Sequence, residues 1–242
     1  VWSSVYDGAF HGEDRGLGIS RGPNGVILAI GYETQMNSAK DVWVRAYTTE
    51  GAINWTRKYG GGLNLDDIGY SAAANAAGEV FFAATAQVAG GQGKDIFISK
   101  VSGFNGTPVV SYTINGSGNL DDEGLGIAVD VNNDILVTGY TRTATSADVW
   151  VRKYKDNGNN FTILWTKTFN GGANSTDFGA SITTDAAANV VVAGVETVAN
   201  QGTNGWIRKY DPMGNVLWAQ TYDGPAHLDD SARGVSIDAS GN

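Results

Sequence analysis

An acidic motif occurs five times in this sequence, each time with an amide or imidazole side chain three residues before its final aspartate. The copies read HGED at 11–14, NLDD at 64–67, NLDD at 119–122, NSTD at 174–177 and HLDD at 227–230. The aspartates that end them are Asp14, Asp67, Asp122, Asp177 and Asp230. Oxygen ligands of this kind suit calcium, and two nearby carboxylates are also the groups that hydrolyse glycosides. The motif is therefore the first candidate for ligand or cation binding.

A calcium site is one interpretation of these motifs. Its ligands would come from Asp66, Asp67, Asp121, Asp122, Asp229, Asp230, Asn64, Asn119 and Asn174. None of the motifs has the spacing of an EF-hand loop. The other interpretation is structural, with each aspartate accepting backbone N–H bonds in its own loop. Repetition in every copy favours the structural role, so we assign no cofactor or metal firmly.

Two histidines, His11 and His227, take the place of the asparagine in the first and last copies. With their aspartate neighbours they could hold a transition metal if those two copies adjoin. The alternative is that each imidazole replaces the amide as a hydrogen-bonding loop side chain.

The sequence offers no nucleophilic catalytic centre. It contains no cysteine and no G-x-S-x-G nucleophile elbow, because the one match to that spacing, GISRG at 18–22, falls at a strand a of the repeat. Both histidines belong to the repeated motif. A catalytic carboxylate pair would distinguish one copy from the others, whereas these acids recur in all five. We therefore expect a protein that is not an enzyme and assign no catalytic residue.

The elements that position the motifs are strands of a long repeat. Equivalent positions are held by Trp2, Trp55, Val110, Trp165 and Trp218. Each unit has a strand a of small residues, a strand b that is apolar throughout, and aromatic-containing strands c and d. A period of about 50 residues made only of strands is typical of a β-propeller. We predict an all-β β-propeller of four-stranded antiparallel blades, with four complete repeats and a partial fifth.

The repeats cover approximately residues 2–54, 55–109, 110–164, 165–217 and 218–242 of one predicted domain. Two further segments lie outside the four complete sets of strands: an extra strand d near Trp2 and an extra strand a near Val235. We expect both to form strands. We also expect further strands, from a longer chain or a partner, to complete the ring, because unpaired strand edges are rarely tolerated.

Strand c mixes charged and aromatic side chains, as in DVWVRKY at 148–154. All seven tryptophans lie on strand c or strand d. A ligand site does not need a copy of its aromatic in each blade, so we interpret these residues as a packing layer between blades. We expect Arg45, Arg152 and Arg208 to stack on the preceding tryptophan beside a capping carboxylate.

Composition narrows the range of partners. The chain has 16 cationic and 25 acidic side chains and a net charge of −9, which argues against nucleic acid and anionic membrane surfaces. Its lack of cysteine excludes disulfides and thiolate metal sites. No apolar run is long enough to span a bilayer. Cationic partners and neutral ligands such as sugars remain.

The strand patterns together resemble the SBBP-type β-propeller repeat of bacterial secreted and surface proteins. The unit from Trp165 to Trp218 follows most of the pattern, including D-x-W-V-x-K-Y and G-x-x-x-W elements, and the resemblance extends over the whole chain. Departures occur at Gly22, Asn75, Ala84 and Val110. The resemblance implies an extracellular, cell-surface or periplasmic scaffold, and the family pattern carries no catalytic residues.

Three functions fit these observations. The first is a non-enzymatic scaffold that binds a protein or glycan partner through an acidic face made by the d–a and b–c loops. The b–c loops break the repeat and would set specificity; they are 33–40, 87–94, 141–147 and 197–203. The second is a carbohydrate-binding or carbohydrate-active propeller. The third is a structural subunit of a surface layer or filament.

Overall fold

The computed structural model describes residues 1–37, 39–60, 65–87, 93–238 and 240–241. Within these ranges it contains sixteen strands and one short 3-10 turn at Pro23–Gly25. The strands form four separate four-stranded antiparallel sheets, and in each sheet neighbouring strands are consecutive in the sequence. These sheets are the four predicted blades of a β-propeller.

The chain divides into two compact units, Val1–Ile114 and Asn115–Asn242. In the first unit, blade 1 contains β1 (Arg15–Arg21), β2 (Ile27–Thr34), β3 (Lys40–Tyr47) and β4 (Ile53–Tyr59), and blade 2 contains β5 (Ile68–Ala74), β6 (Val80–Gln87), β7 (Lys94–Val101) and β8 (Pro108–Ile114). In the second unit, blade 3 contains β9 (Glu123–Val129), β10 (Asp134–Arg142), β11 (Ala147–Asp156) and β12 (Phe161–Phe169), and blade 4 contains β13 (Phe178–Thr184), β14 (Val190–Val198), β15 (Gly202–Tyr210) and β16 (Val216–Tyr222).

Strand b is largely buried in every blade, as its continuous apolar sequence predicts, and in blades 2 and 4 it is the most deeply buried strand. In β6, every residue from Val80 to Ala86 is buried. A strand covered on both faces has no solvent-facing side and therefore needs no polar alternation. Buried side chains of blades 1 and 2 form one core, and those of blades 3 and 4 form another.

Aromatic side chains pack between the two blades of each unit, which confirms the structural interpretation for Trp55, Trp165 and Trp206, whereas Trp218 is 42% exposed. In the second unit, Phe169 of blade 3 lies 6.1 Å from Trp206 of blade 4, between ring centroids. Trp165 lies 5.9 Å from Tyr210 and donates its indole N–H to the carbonyl of Pro212. Within the second unit, blade 3 thus packs on blade 4 through rings of strands d and c, and within the first unit Tyr59 of blade 1 packs on Phe82 of blade 2.

The predicted stacking is present at Arg45 and Arg152, but no carboxylate of the described residues forms an ion pair with either guanidinium, so the predicted cap is wrong there. The guanidinium carbons of Arg45 and Arg152 each lie 4.8 Å from the ring centroid of the preceding tryptophan. Their Nε atoms donate to the hydroxyls of Thr56 and Thr166 on the adjacent strand d. The threonine directly opposite the arginine is neutral and accepts this N–H. A carboxylate there would bury a second charge and add a desolvation cost.

Strand d carries one extra residue relative to strand c in all four blades. In blade 1, Ala46 pairs with Trp55 and Tyr47 pairs with Ile53, which leaves Asn54 without an opposite residue. The same β-bulge recurs in the other blades and leaves Val109, Leu164 and Leu217 unopposed. A bulge bends its strand and redirects the extra side chain.

Neither terminal segment forms the strand that we predicted for it. Trp2 occupies the expected position of a strand d tryptophan, because its indole N–H donates to the carbonyl of Thr49 and its ring packs on Tyr47. Val235 lies against blade 4, where its N–H donates to the hydroxyl of Ser181. Residues 1–7 and 233–237 are nevertheless not strands. A strand requires a backbone ladder, and side-chain contacts with a blade face do not supply one.

An ion pair connects the end of strand a with strand c in both blades of the second unit, and in blade 3 it is buried. In blade 3, Lys153 Nζ lies 2.7 Å from Asp130 Oδ2 and 3.1 Å from Asp134. In blade 4, Lys209 pairs with Asp185 at 2.8 Å. The lysine of each pair is part of the strand c motif, and the principal aspartate directly follows strand a.

In the first unit, the equivalent ion pair is altered in blade 2 and absent from blade 1. Blade 2 has Asn75 where the aspartate would be, and Glu79 supplies the carboxylate to Lys100 at 2.8 Å. Blade 1 has Gly22 and Ala46, so both charges are absent there. At this position, neither departure leaves a buried charge without a partner. An unpaired buried charge would lower the stability of the fold.

The Asp185–Lys209 pair predicts a loss of stability in acid. Burial alone would raise the pKa of Asp185. Hydrogen bonds from Lys209, the Asn189 side chain and the N–H groups of Ala187 and Asn189 outweigh burial and lower that pKa from 3.8 to about 2. A carboxyl whose pKa is lower in the folded state stabilises above its unfolded pKa and loses this contribution as pH falls through the folded value.

We therefore expect Asp185→Asn to be less stable than the wild type at pH 6, with most of the difference disappearing as the pH falls from 3.8 towards about 2. Denaturant unfolding at a series of pH values measures this. Glu50→Gln, at an exposed turn, is the control and should show no such pH-dependent difference. A difference for Asp185→Asn that stays constant to pH 2 would contradict the prediction.

Candidate functional site at the loop end of the blades

The repeated aspartates join the d–a loop to the b–c loop, at what we call the loop end of each blade. In blade 1, Asp14 accepts the N–H of Thr34 at 2.9 Å and that of Gly8 at 2.5 Å. In blade 3, Asp122 accepts the N–H groups of Arg142 and Gly116. This confirms that both loops lie at one end of a blade and that these aspartates bind backbone N–H groups.

The other aspartates of the set follow the same scheme. Asp177 accepts the N–H groups of Gly171 and Thr197, Asp67 accepts that of Gln87, and Asp230 accepts that of Gly224. Burial raises the pKa of Asp122 and Asp177, and the backbone donors only partly oppose this effect. The carboxylate oxygens are thus used within the protein.

The acid that precedes the aspartate in two copies binds the neighbouring blade. Asp66 accepts the N–H of Lys40, where strand c of blade 1 begins, at 3.1 Å. Asp229 accepts the N–H of Thr203, in strand c of blade 4, at 3.0 Å. Asp121 is exposed at the loop end of blade 3. The two acids of a motif therefore serve different backbone donors.

The amide and imidazole position of the motif has left-handed backbone geometry. The φ values are 47° at Asn119, 46° at Asn174 and 51° at both His11 and His227. Asparagine and histidine are among the non-glycine residues that tolerate this region best. Asn64 lies outside the described residues.

Each of these side chains bonds to the residue four positions earlier. The Asn115 amide donates to Asn119, and the Asn170 amide donates to Asn174. His11 contacts Asp7 at 2.7 Å, and His227 contacts Asp223 at 2.6 Å. Histidine does replace asparagine as a loop hydrogen-bonding residue, and its partner changes with it from amide to carboxylate.

No three histidine, aspartate or glutamate side chains converge as metal ligands in the part of the chain that the structure describes. The calcium site and the paired-histidine metal site therefore stay predictions.

Replacement of Asp122 by asparagine should lower the free energy of unfolding by about 1–3 kcal/mol, because an amide turns one acceptor oxygen into a donor that faces an N–H. Thermal unfolding measures this, with Glu50→Gln at an exposed turn as the control. We expect calcium chelation to change the melting temperature of the wild type little. A large decrease on chelation that Asp122→Asn abolishes would instead demonstrate a calcium site.

A hydroxyl-rich cleft of about 240 Å³ lies at the loop end of the second unit. It is lined by the b–c loop of blade 3 from Arg142 to Ala147, by Leu120, and by the d–a loop from Asn174 to Thr176. Thr143 holds the b–c loop in shape, because its hydroxyl accepts the N–H of Ser146 at 3.0 Å. The cleft brings predicted site residue Asn174 together with a loop expected to set specificity.

Sequence reasoning did not identify the serine and threonine hydroxyls of this cleft individually. Their signal was the departure of TRTATSA from the repeat at 141–147. Threonine and serine are common in turns for structural reasons, so their type alone does not mark a binding site.

The blades and their loop end define a β-propeller, and comparisons with known proteins agree on the fold. No protein-family profile matches the chain. No curated protein matches it significantly. Solved structures do match, at sequence identities that support a shared fold only.

Three of these structures illustrate the likeness. A protein of unknown function from Dyadobacter fermentans has a TM-score of 0.59 at 10% identity, over 91% of this chain and 66% of its own. An α-L-arabinofuranosidase of Fusarium graminearum with arabinobiose has a TM-score of 0.54 at 11% identity, over 90% and 66%. Chaetomium thermophilum Sqt1, bound to the N-terminus of a ribosomal protein, has a TM-score of 0.51 at 14% identity, over 89% and 50%. The chain thus spans 50% to 66% of their lengths.

No helix in the described ranges has the length and apolarity needed to cross a bilayer.

Proposed function

We propose that this chain is a non-enzymatic β-propeller scaffold that binds a protein or glycan partner through the loop end of its blades. The observation that carries the proposal is the use of the repeated aspartates by backbone donors. Because the repeated part of the loop end has a structural role, we assign recognition of the partner to the b–c loops, which differ between blades. The resemblance to SBBP-type repeats supports a secreted, cell-surface or periplasmic setting.

The chemistry of the cleft supports binding in preference to catalysis. Asp122 and Asp177 each accept two backbone N–H bonds, which disfavours a role as nucleophile or general acid. The cleft itself offers hydroxyls, an amide and one guanidinium. Such groups bind neutral polar ligands without performing acid–base chemistry. Propellers of this fold include a glycosidase and a peptide-binding protein, so the fold alone does not choose between glycan and protein.

Two probes test the proposal: a printed array of neutral oligosaccharides and an array of basic peptides, the latter because the chain is acidic. We expect a member of one array to bind and the double variant Thr143→Ala/Thr145→Ala to reduce that binding. Thr49→Ala, in a c–d turn at the opposite end of blade 1, is the control and should bind normally. Failure of both arrays, or binding that survives the double variant, would overturn the proposal.

A further inference from the structure

A second cleft lies away from the loop end, where strand d of blade 1 meets the c–d turn of blade 2. Its walls are residues Asn54 to Arg57 of β4 and the turn from Gly103 to Asn105. Its volume is about 630 Å³, within the range of about 300–1,000 Å³ that is usual for small-molecule sites. The hydroxyl-rich cleft of the second unit, at about 240 Å³, is smaller than that range.

The turn that forms one wall is fixed to blade 1. The indole N–H of Trp55 donates to the carbonyl of Gly103 at 2.8 Å, and the hydroxyl of Tyr59 donates to that of Gly106 at 2.6 Å. Gly106 has a φ of +70°, which glycine adopts without strain. The cleft is therefore formed before any ligand arrives, which reduces the entropic cost of binding.

An exposed aromatic side chain stands at the rim. Phe104 is 89% exposed, so folding gains little from its ring. An apolar group beside polar side chains in a concave site is typical of ligand recognition. The turn of blade 4 has Met213 at the equivalent position, also exposed, which provides a matched comparison.

Two carboxamides face the cleft from opposite walls. Asn54 is the bulged residue of β4, and the same bulge carries valine or leucine in the other three blades. Asn105, on the turn, accepts the N–H of Thr107 with its Oδ1, which leaves its Nδ2 available as a donor. Side-chain amides can donate to and accept from the hydroxyls of one ligand at the same time.

Arg57 adds a positive charge to this site. Among the described residues, no carboxylate lies within ion-pair distance of its guanidinium, although the chain carries a net charge of −9. No acidic residue lines the cleft. A guanidinium binds a planar carboxylate through two parallel hydrogen bonds.

We propose that this cleft binds an acidic oligosaccharide, with a uronate carboxylate on Arg57, ring hydroxyls on Asn54 and Asn105, and the apolar face of a sugar ring on Phe104. A sugar ring fits this set because it presents hydroxyls at its edge and C–H groups on its faces, while the amides lie on both walls. The site is independent of the proposed function, since it uses a c–d turn and none of the b–c loops.

Calorimetry with short oligogalacturonates, and with neutral galactose oligomers of the same length, tests the proposal. We expect the uronates to bind and the neutral oligomers to bind at least about tenfold more weakly, which is the usual effect of losing a charged hydrogen bond. Arg57→Gln, Phe104→Ser and Asn54→Leu should each weaken uronate binding. Met213→Ser and the double variant Thr143→Ala/Thr145→Ala should not.

The altered side chains Asn54, Arg57 and Phe104 are exposed, so the variants should unfold at the wild-type temperature, which thermal unfolding checks. Absence of uronate binding, or binding that survives both Arg57→Gln and Phe104→Ser, would overturn the proposal. Equal affinity for an acidic peptide of the same charge would also overturn the assignment to carbohydrate.

Discussion

Lys153→Met is expected to lower the free energy of unfolding by about 3–5 kcal/mol, because it removes one partner of a buried ion pair and leaves the other charged. The side chains of Lys153 and Asp130 are 2% and 0% exposed. Methionine keeps the length and most of the volume of lysine, so the loss reports charge more than packing. Denaturant unfolding followed by tryptophan fluorescence measures it.

Lys155→Met is the matched control, since Lys155 lies two residues further along β11 and is exposed. We expect a change within about 0.5 kcal/mol for that variant. The double variant Lys153→Met/Asp130→Asn should recover part of the loss, because it removes the buried carboxylate that has lost its partner. Equal stability of Lys153→Met and the wild type would show that the pair contributes no net stability.

A second large effect is expected for Trp150→Ala, which should cost about 3–5 kcal/mol through the cavity left by a buried indole. Trp150 is 2% exposed and stacks against Arg152 at 4.8 Å. The loss of that ring removes both apolar burial and the surface that holds the guanidinium.

Trp218→Ala provides the comparison within the same residue type. Trp218, on β16, is 42% exposed, and we expect a loss of less than about 1 kcal/mol because little cavity is created. The decrease in the free energy of unfolding should thus be several-fold larger for Trp150→Ala than for Trp218→Ala. A Trp150→Ala protein that keeps its stability but loses ligand binding would reverse the structural interpretation of strand c.

The blades could be predicted from the sequence because their signal is repeated. One unit with an apolar strand b and a tryptophan on strand d is ambiguous, but repetition shows which features the fold requires. The role of Asp122 and its equivalents was accessible for the same reason: a residue needed by each blade recurs in each blade.

Other features were not predictable because they depend on register. The bulge at Asn54 exists only as a mismatch between two paired strands, and a sequence does not show which residue lacks a partner. The threonine beside Arg45 follows from the cross-strand pairing of Arg45 with Thr56. Likewise, Gly22 and Asn75 were visible as departures, but they were not linked to the strand c positions Ala46 and Lys100, where the ion pair is absent or altered.

The candidate site was predicted only in part. The acidic loops can be located in the sequence. The sequence does not show that their carboxylates point inward, towards backbone N–H donors. The cleft beside Phe104 gave no periodic signal, because its polar and aromatic residues are not repeated in the other blades and because its two walls come from different blades, about 50 positions apart in the chain.

The missing charges of blade 1 have a consequence for how such a protein can be altered by recombination. If strand c of blade 3 were transplanted alone into blade 1, Lys153 would enter a site where Gly22 offers no counter-ion. Transfer of strands a, b and c together would carry Asp130, Asp134 and the lysine as a set. The smallest exchangeable module is therefore close to a whole blade, and crossovers inside a blade are expected to yield chimaeras that fold poorly.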